Sequence, residues 1–293
     1  MASLREIKSK IHSVKSTQQI TSAMQMVSTV KLQKAQRIIT RFFPYQEKIS
    51  VLLNNFLSSE EDEEVISSMF EEKREVKRIA IVAFSSNMSL CGSFNGNVAK
   101  KLAETLKQHE HLGKENILLY PIGKKIAQTA KKLGYTSKTK YDELANNPNY
   151  EEAIKIADEL MSFFSKGEID KVIVIYHHFK SKGSQVLTQT DMLPLSFDKL
   201  KEKENKKEAF IKYIVEPDKK TILEELIPKV IRIQFYTYLL QSHTSEHAAR
   251  SLAMQGATDN ADDLLEELSL VYNKSRQQSI TNELLDIIGA TFK

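Results

Sequence analysis

Glycine is missing from the first 91 residues of this 293-residue chain, and proline occurs there once, at Pro44. These two residues punctuate most chains, so their scarcity favours unusually long helix. Cysteine appears once, as Cys91, which excludes an internal disulfide and suits a reducing compartment. No apolar run approaches the roughly 18 residues of a membrane-spanning helix. The opening Met1-Ala2-Ser3-Leu4-Arg5-Glu6 has no secretory apolar stretch, so contact with a membrane has to pass through partners. Aromatic side chains are absent from Met1 to Arg41. That segment has nothing to stack on bases, and nucleic-acid binding is not expected.

Charge is present in both signs and unevenly placed. From Met1 to Arg41, eight bases (Arg5, Lys8, Lys10, Lys15, Lys31, Lys34, Arg37, Arg41) stand against Glu6 alone, a net +7. From Ser242 to the end, eight acids (Glu246, Asp259, Asp262, Asp263, Glu266, Glu267, Glu283, Asp286) exceed four bases, a net −4. Helices of opposite sign attract each other or meet different partners. Lys31, Lys34, Arg37 and Arg41 step along one helical face, which reads plainly as a solvated stripe and more sharply as a surface for an acidic partner.

The 41% hydrophobic content supports a sizeable core. Leu4, Ile7, Ile11 and Val14 follow helical spacing, which returns as Leu32, Ala35, Ile39, Phe42, Tyr45, Ile49, Leu52 and Phe56. One helix from about Leu4 to Phe56 is predicted, with a kink at Pro44. Between Lys15 and Val30 the seam weakens, because Gln18, Thr21, Gln25 and Ser28 stand where a strong coiled coil places leucine. A second long helix is predicted from near Thr221, past Pro228, to Ile288, stopping before Gly289. Its Ala261, Leu265, Leu268 and Tyr272 form a seam, and its Ala, Ser and Thr between Thr244 and Asn260 allow close helix approach. Helices this long need a packing partner. With a compact domain joining them, they should pair antiparallel.

Between them the pattern turns α/β. Ile79–Phe84, Ile117–Tyr120 and Val172–Tyr176 are continuous apolar runs suited to buried parallel strands. Val98–His109, Lys124–Leu133 and Glu151–Phe164 supply helical crossovers, with a stop at Gly134. Gln185–Met192 and Phe210–Val215 read as further strands, and the lysine-rich Lys199–Lys207 as an exposed loop. The expected fold is α/β plus a long antiparallel coiled coil, the terminal helices paired as a rod with a central Rossmann-like α/β domain. The divisions are 1–58 for the first helix, 59–78 for a charged linker, 79–216 for the α/β domain and 217–293 for the last helix.

Several motifs suggest chemistry. His243-Thr244-Ser245-Glu246-His247 matches the H-x-x-E-H of zinc peptidases, but a catalytic zinc needs a third protein ligand and no histidine follows. Two helix-surface histidines is the preferred reading. His177-His178 are strand neighbours pointing to opposite faces and cannot easily chelate one ion. Gly123-Lys124-Lys125 opens a helix after a strand, a geometry that can hold phosphate, yet it lacks the G-x-x-x-x-G-K-[ST] pattern. The loop Ser85–Asn95 lies where doubly wound folds bind ligands. It has no G-x-G-x-x-G and no base beside Cys91, for which burial is expected. No catalytic residue, cofactor or metal is predicted.

Three stretches resemble the γ subunit of rotary ATP synthases. Ile11-His12-Ser13-Val14-Lys15-Ser16-Thr17-Gln18-Gln19-Ile20-Thr21-Ser22-Ala23-Met24-Gln25-Met26-Val27 is similar to the family's I-x-S-V-x-x-T-x-x-I-T-x-A-M-x-M-V. Leu90-Cys91-Gly92-Ser93-Phe94-Asn95 is similar to L-C-G-x-F-N. The third runs through Ser245-Glu246-His247-Ala248-Ala249-Arg250, Ala257-Thr258-Asp259-Asn260-Ala261 and Tyr272-Asn273-Lys274-Ser275-Arg276-Gln277 to Ile280-Thr281. The chain departs from the pattern at Asn87-Met88-Ser89, where the family has a charged pair and a glycine. His243 falls outside the S-E-H-A-A-R element.

The resemblance implies a non-catalytic shaft inside a ring of three α and three β subunits, one copy per complex, with the ε subunit and the membrane ring of c subunits at its foot. Membrane contact would then pass only through that c-ring. Met24, Lys31, Arg276 and Gln277 are implied to meet β-subunit loops, and Ile280, Leu284, Leu285, Ile287 and Ile288 to form an apolar tip in an apolar bearing. The polar stretches Lys15–Val30 and Thr244–Asn260 would be surfaces that pass three partners without adhering to any. The start leaves no room for an organelle transit peptide, which implies the cytoplasmic face of a bacterial inner membrane. Two rivals differ in what they require. A zinc hydrolase would hold stoichiometric metal and lose activity in His247→Ala, and a coiled-coil adaptor would dimerise.

Overall fold

The computed structural model describes residues 3–58, 70, 74–135, 141–195, 215, 216 and 218–291. The first helix, α1, spans Leu4–Ser58. Ser3 and Glu6 start it as a reciprocal cap: the Glu6 amide donates to Ser3 Oγ at 3.3 Å and the Ser3 amide to Glu6 Oε2 at 2.9 Å. The last helix, α6, spans Lys219–Thr291. It is capped by Asp218, whose carboxylate takes the amide and hydroxyl of Thr221, each at 2.8 Å. Those bonds hold the Asp218 carboxyl below its ordinary pKa. Neither Pro44 nor Pro228 ends its helix. The stop predicted before Gly289 is absent, since α6 continues through it to Thr291. A single glycine costs a helix interior only about 1 kcal/mol and cannot terminate it alone.

Between them lie β1 (Ile79–Phe84), α2 (Phe94–Gln108), β2 (Ile117–Ile122), α3 (Lys124–Lys132), α4 (Asp142–Asn146), α5 (Tyr150–Ser165), β3 (Lys171–Ser181) and β4 (Ser184–Leu193). The sheet order is β2-β1-β3-β4. β1 pairs parallel with both β2 and β3, while β4 returns antiparallel along β3. The three apolar runs read as parallel strands are therefore the three parallel strands of the sheet. The strand predicted at Phe210–Val215 lies outside the described residues except for Val215, which is not in a strand, and Lys199–Lys207 also lies outside them.

Strand residues alternate between two cores. On one face Ala80, Val82, Phe84, Val172 and Val174 pack with α5, with Leu53 and Phe56 of α1, and with Leu226 to Leu240 of α6. On the other, Ile79, Ile81, Ala83, Ile173 and Ile175 pack with Val98, Leu102 and Leu106 of α2 and Ile126 of α3. Each fully buried Ile, Leu or Phe stabilises the fold by roughly 1.5–3 kcal/mol. Gly134, at φ 85°, ends α3, its amide and that of Tyr135 turning back to the carbonyls of Lys131 and Ala130.

The chain forms two compact units, one of Lys31–Ala249 and one of Met1–Val30 with Arg250–Lys293. The first holds the sheet and both cores. The second is a helix pair. Within it Gln18 Nε2 meets Asp262 Oδ1 at 3.0 Å, Thr21 meets Thr258 at 2.8 Å and Thr29 meets Ser251 at 2.9 Å. Partners fall along α6 as they rise along α1, so the pair is antiparallel as predicted.

Candidate functional site

The candidate site is a surface carried by the helix pair. Its geometry follows from a seven-residue repeat. On α1 the side chains turned inward are Ile7, Ile11, Val14, Gln18, Thr21, Gln25 and Ser28. On α6 they are Ser251, Met254, Thr258, Ala261, Leu265, Leu268, Tyr272, Ser275 and Ser279. Isoleucine, valine and leucine fill the layers toward the start of α1. The layers toward Val30 are polar, with Thr21, Ser28 and Ser251 all buried.

This corrects one implication of the sequence. Of the polar residues between Lys15 and Val30, the seam positions Gln18, Thr21, Gln25 and Ser28 turn toward the other helix, while Thr17 and Gln19 remain exposed. The side of α1 turned away from the seam carries exposed apolar side chains, with Ile20, Met26, Val27 and Val30 at 56–66%. Sequence reasoning missed this stripe. Its signal was legible, since Ile20, Ala23, Val27 and Val30 repeat with the same period as the polar seam, one face round.

The predicted contact residues divide between the units. Met24 is half-buried at the flank of the polar seam, and Arg276 and Gln277 are exposed on α6. By the helical rise, Arg276 lies about 30 Å along α6 from the level of Met24. Lys31 belongs to the other unit and is exposed, as are Lys34, Arg37 and Arg41 on the same helix. Arg37 and Arg41, with Gln33, Gln36 and Thr40, line a shallow cavity of about 340 Å³. Beyond Ser279 every described side chain of α6 is exposed, including Ile280, Leu284, Leu285, Ile287 and Ile288 at 49–64%. The register explains this: α6 there has run past the described start of α1.

The motifs suggesting chemistry have structural explanations. His243 and His247 meet at 3.2 Å between their Nε2 atoms, and His243 also bonds the Asn146 carbonyl at 3.2 Å. A carbonyl only accepts, so His243 carries the proton. His247 is buried rather than a surface histidine, because α6 packs there on the sheet domain. Among the described residues, no three His, Cys, Asp or Glu side chains are grouped to hold a metal. His177 and His178 do face opposite ways: His177 stacks on Phe94 of α2 at 4.2 Å, while His178 bonds Gln241 of α6 at 2.7 Å. Burial lowers the His177 pKa to about 4.

The first turn of α3 is occupied by its own chain. The Lys124 amide donates to Asn87 Oδ1 at 2.8 Å, that of Lys125 to the Ser86 carbonyl at 3.2 Å and that of Ile126 to Ser85 Oγ at 3.0 Å. Gly123 permits this approach, at φ 108°, with the position of an added Cβ only 2.3 Å from the Ser85 carbonyl oxygen. Cys91 is buried as expected, its Sγ 3.1 Å from Asn95 Nδ2. No described helix is long and apolar enough to cross a membrane.

With this geometry in hand, known proteins place the chain. A family model described as ATP synthase matches residues 3–291. The chain is 50% identical over 291 residues to an ATP synthase gamma chain of Phocaeicola vulgatus, covering 99% of each. It is 42% identical to the ATP synthase gamma chain of Christiangramia forsetii, over 99% of this chain and 98% of that one. Among solved structures, a chain of the Euglena gracilis mitochondrial ATP synthase (OSCP/F1/c-ring) superposes with a TM-score of 0.66 at 19% identity, covering 99% of this chain and 93% of its own. A chain from the central stalk/c-ring of the Tetrahymena thermophila enzyme gives 0.56 at 22% identity, over 81% and 99%.

Proposed function

Because the chain belongs to the ATP synthase gamma family, we propose that it is the turning shaft of an F-type ATP synthase and couples ion flow to the catalytic β subunits. It is a non-catalytic subunit, so its effect on ATP chemistry is mechanical. A ligand or partner shifts a conformational equilibrium only through differential contacts with the two states. A shaft whose faces differ supplies such contacts to each β subunit in turn as it rotates.

The observation that carries this reading is the helix pair whose polar seam turns an apolar stripe outward. In a free-standing coiled coil those positions would be polar. Here Ile20, Met26, Val27 and Val30 are available to a surrounding ring. Met24, Lys31, Arg276 and Gln277 serve as further β-subunit contacts, the basic stripe from Lys31 to Arg41 suiting acidic loops. The exposed tip, Ile280, Leu284, Leu285, Ile287 and Ile288, suits an apolar bearing. The division 1–58, 59–78, 79–216 and 217–293 then reads as shaft helix, linker, foot domain and shaft helix. The foot meets the ε subunit and the c-ring on the cytoplasmic face of a bacterial inner membrane, so membrane association is peripheral.

Co-expression with α and β subunits followed by native mass measurement tests this. One copy of the chain with three α and three β subunits is expected. Recovery of the chain only as a free species would overturn the assignment.

A further inference from the structure

Four consecutive seam positions of α1 that a strong coiled coil would fill with leucine are Gln18, Thr21, Gln25 and Ser28. Gln18 and Thr21 reach across to α6, and Ser28 Oγ donates to the Met24 carbonyl of its own helix at 2.8 Å. Thr29 Oγ1 donates to the Gln25 carbonyl at 2.9 Å, so its single proton is committed and the 2.9 Å contact with Ser251 must use the serine's proton. The hydroxyls of Thr21 and Thr258 each reach a carbonyl of their own helix, at 3.0 and 2.9 Å, and stand 2.8 Å from each other. One of the two therefore donates across the seam while the other donates back. Gln18 adds a third crossing bond, to Asp262.

Such bonds differ in kind from leucine contacts. Apolar packing is non-directional, and a shift of one heptad, about 10 Å, brings equivalent knobs into equivalent holes. A hydrogen bond is lost by a shift of one residue, which moves the partner about 1.5 Å along the axis and about 100° around it. We infer that the crossing pairs Thr21–Thr258, Thr29–Ser251 and Gln18–Asp262 fix the register and rotational phase of the helix pair, and that Thr21 and Thr258 are thereby positioning residues for the outward stripe of Ile20, Met26, Val27 and Val30. The register part stands on the geometry alone. The consequence for coupling rests on the central-stalk reading. Polar layers in a coiled-coil seam lower stability in exchange for a single register. Here that sets how the apolar face of α1 is turned relative to α6.

The test uses the chain assembled with its partner subunits, carrying Thr21→Val with Thr258→Val. Removing both hydroxyls leaves no unpaired polar group, so the thermal midpoint should hold or rise. Spin labels at Gln19→Cys and Asn260→Cys, on a Cys91→Ser background, report register as a distance distribution. The parent should give one narrow distance and the double valine variant a broadened or second one. Ions pumped per ATP hydrolysed should fall about twofold or more. Thr21→Ser, which keeps the hydroxyl, should retain both parental values. A single narrow distance in the double variant overturns the register inference, and broadening with unchanged coupling overturns the positioning role. Failure of even the parent chain to enter the ring overturns the stalk reading instead, and the distances in the free chain then decide the register question.

Discussion

The imidazole of His177 lies on β3 between the sheet and Phe94, 2% exposed. Burial disfavours its charged form and lowers its pKa from 6.5 to about 4. The sign follows from proton counting. Between those values the unfolded chain binds a proton that the folded chain does not, so stability is full above pH 6.5 and is lost as pH falls toward 4. The loss is on the order of 3 kcal/mol. In His177→Leu, the unfolding free energies from urea titration at pH 7 and pH 4.5 should differ less than in the parent by about this amount. An equal difference in both proteins would mean that other groups govern the acid response. The other residues that looked catalytic in the sequence are likewise held by contacts within the fold: His178 bonds Gln241, and His243 bonds the Asn146 carbonyl.

Elements show where local chemistry decides and where it does not. Helix α5 begins with Asn149, whose side chain accepts the amides of Glu151 at 2.7 Å and Glu152 at 3.4 Å. Asn149→Ala should therefore cost about 1 kcal/mol in thermal or urea unfolding, with Asn149→Asp close to the parent. Signals of this kind made most of the fold legible in advance. α1 ends two residues beyond the predicted Phe56; the strands predicted at Ile79, Ile117, Val172 and Gln185 and the three crossover helices are present, with α2 starting four residues early and β3 running on to Ser181. The misreadings have physical causes. Gly289 looked like a stop, but a glycine ends a helix only where the following chain turns away, and α6 continues. The outward stripe went unnamed even though Gln18, Thr21, Gln25 and Ser28 were placed at the seam; Thr21 and Ser28 are buried there while Met26 and Val30 stay outside. Composition cannot show which of two interleaved heptads faces inward. That depends on what α6 presents opposite, and Ser251 and Thr258 are complementary to hydroxyls rather than to leucine.

For the molecule as a whole, the separation between what folds the chain and what it offers its partners can be tested by truncation. Past Ser279 the described side chains of α6 are exposed and Ile280 to Ile288 add nothing to either core. A chain ended before Ile280 should keep the parental thermal midpoint within a few degrees, while torque or assembly weakens and the nucleotide sites of the β subunits are unaltered. Unchanged coupling in that variant would count against a working tip. The same logic extends to the α/β domain. Folds of this kind hold phosphates on free amides at the first turn of a helix beyond the parallel strands, and in α3 those amides are already held by Asn87, Ser86 and Ser85. A nucleotide could enter there only by evicting its own loop. On the proposed reading, this helix start is closed to the fuel that the complex handles, and what ATP does next door would reach it as displacement rather than as bound phosphate.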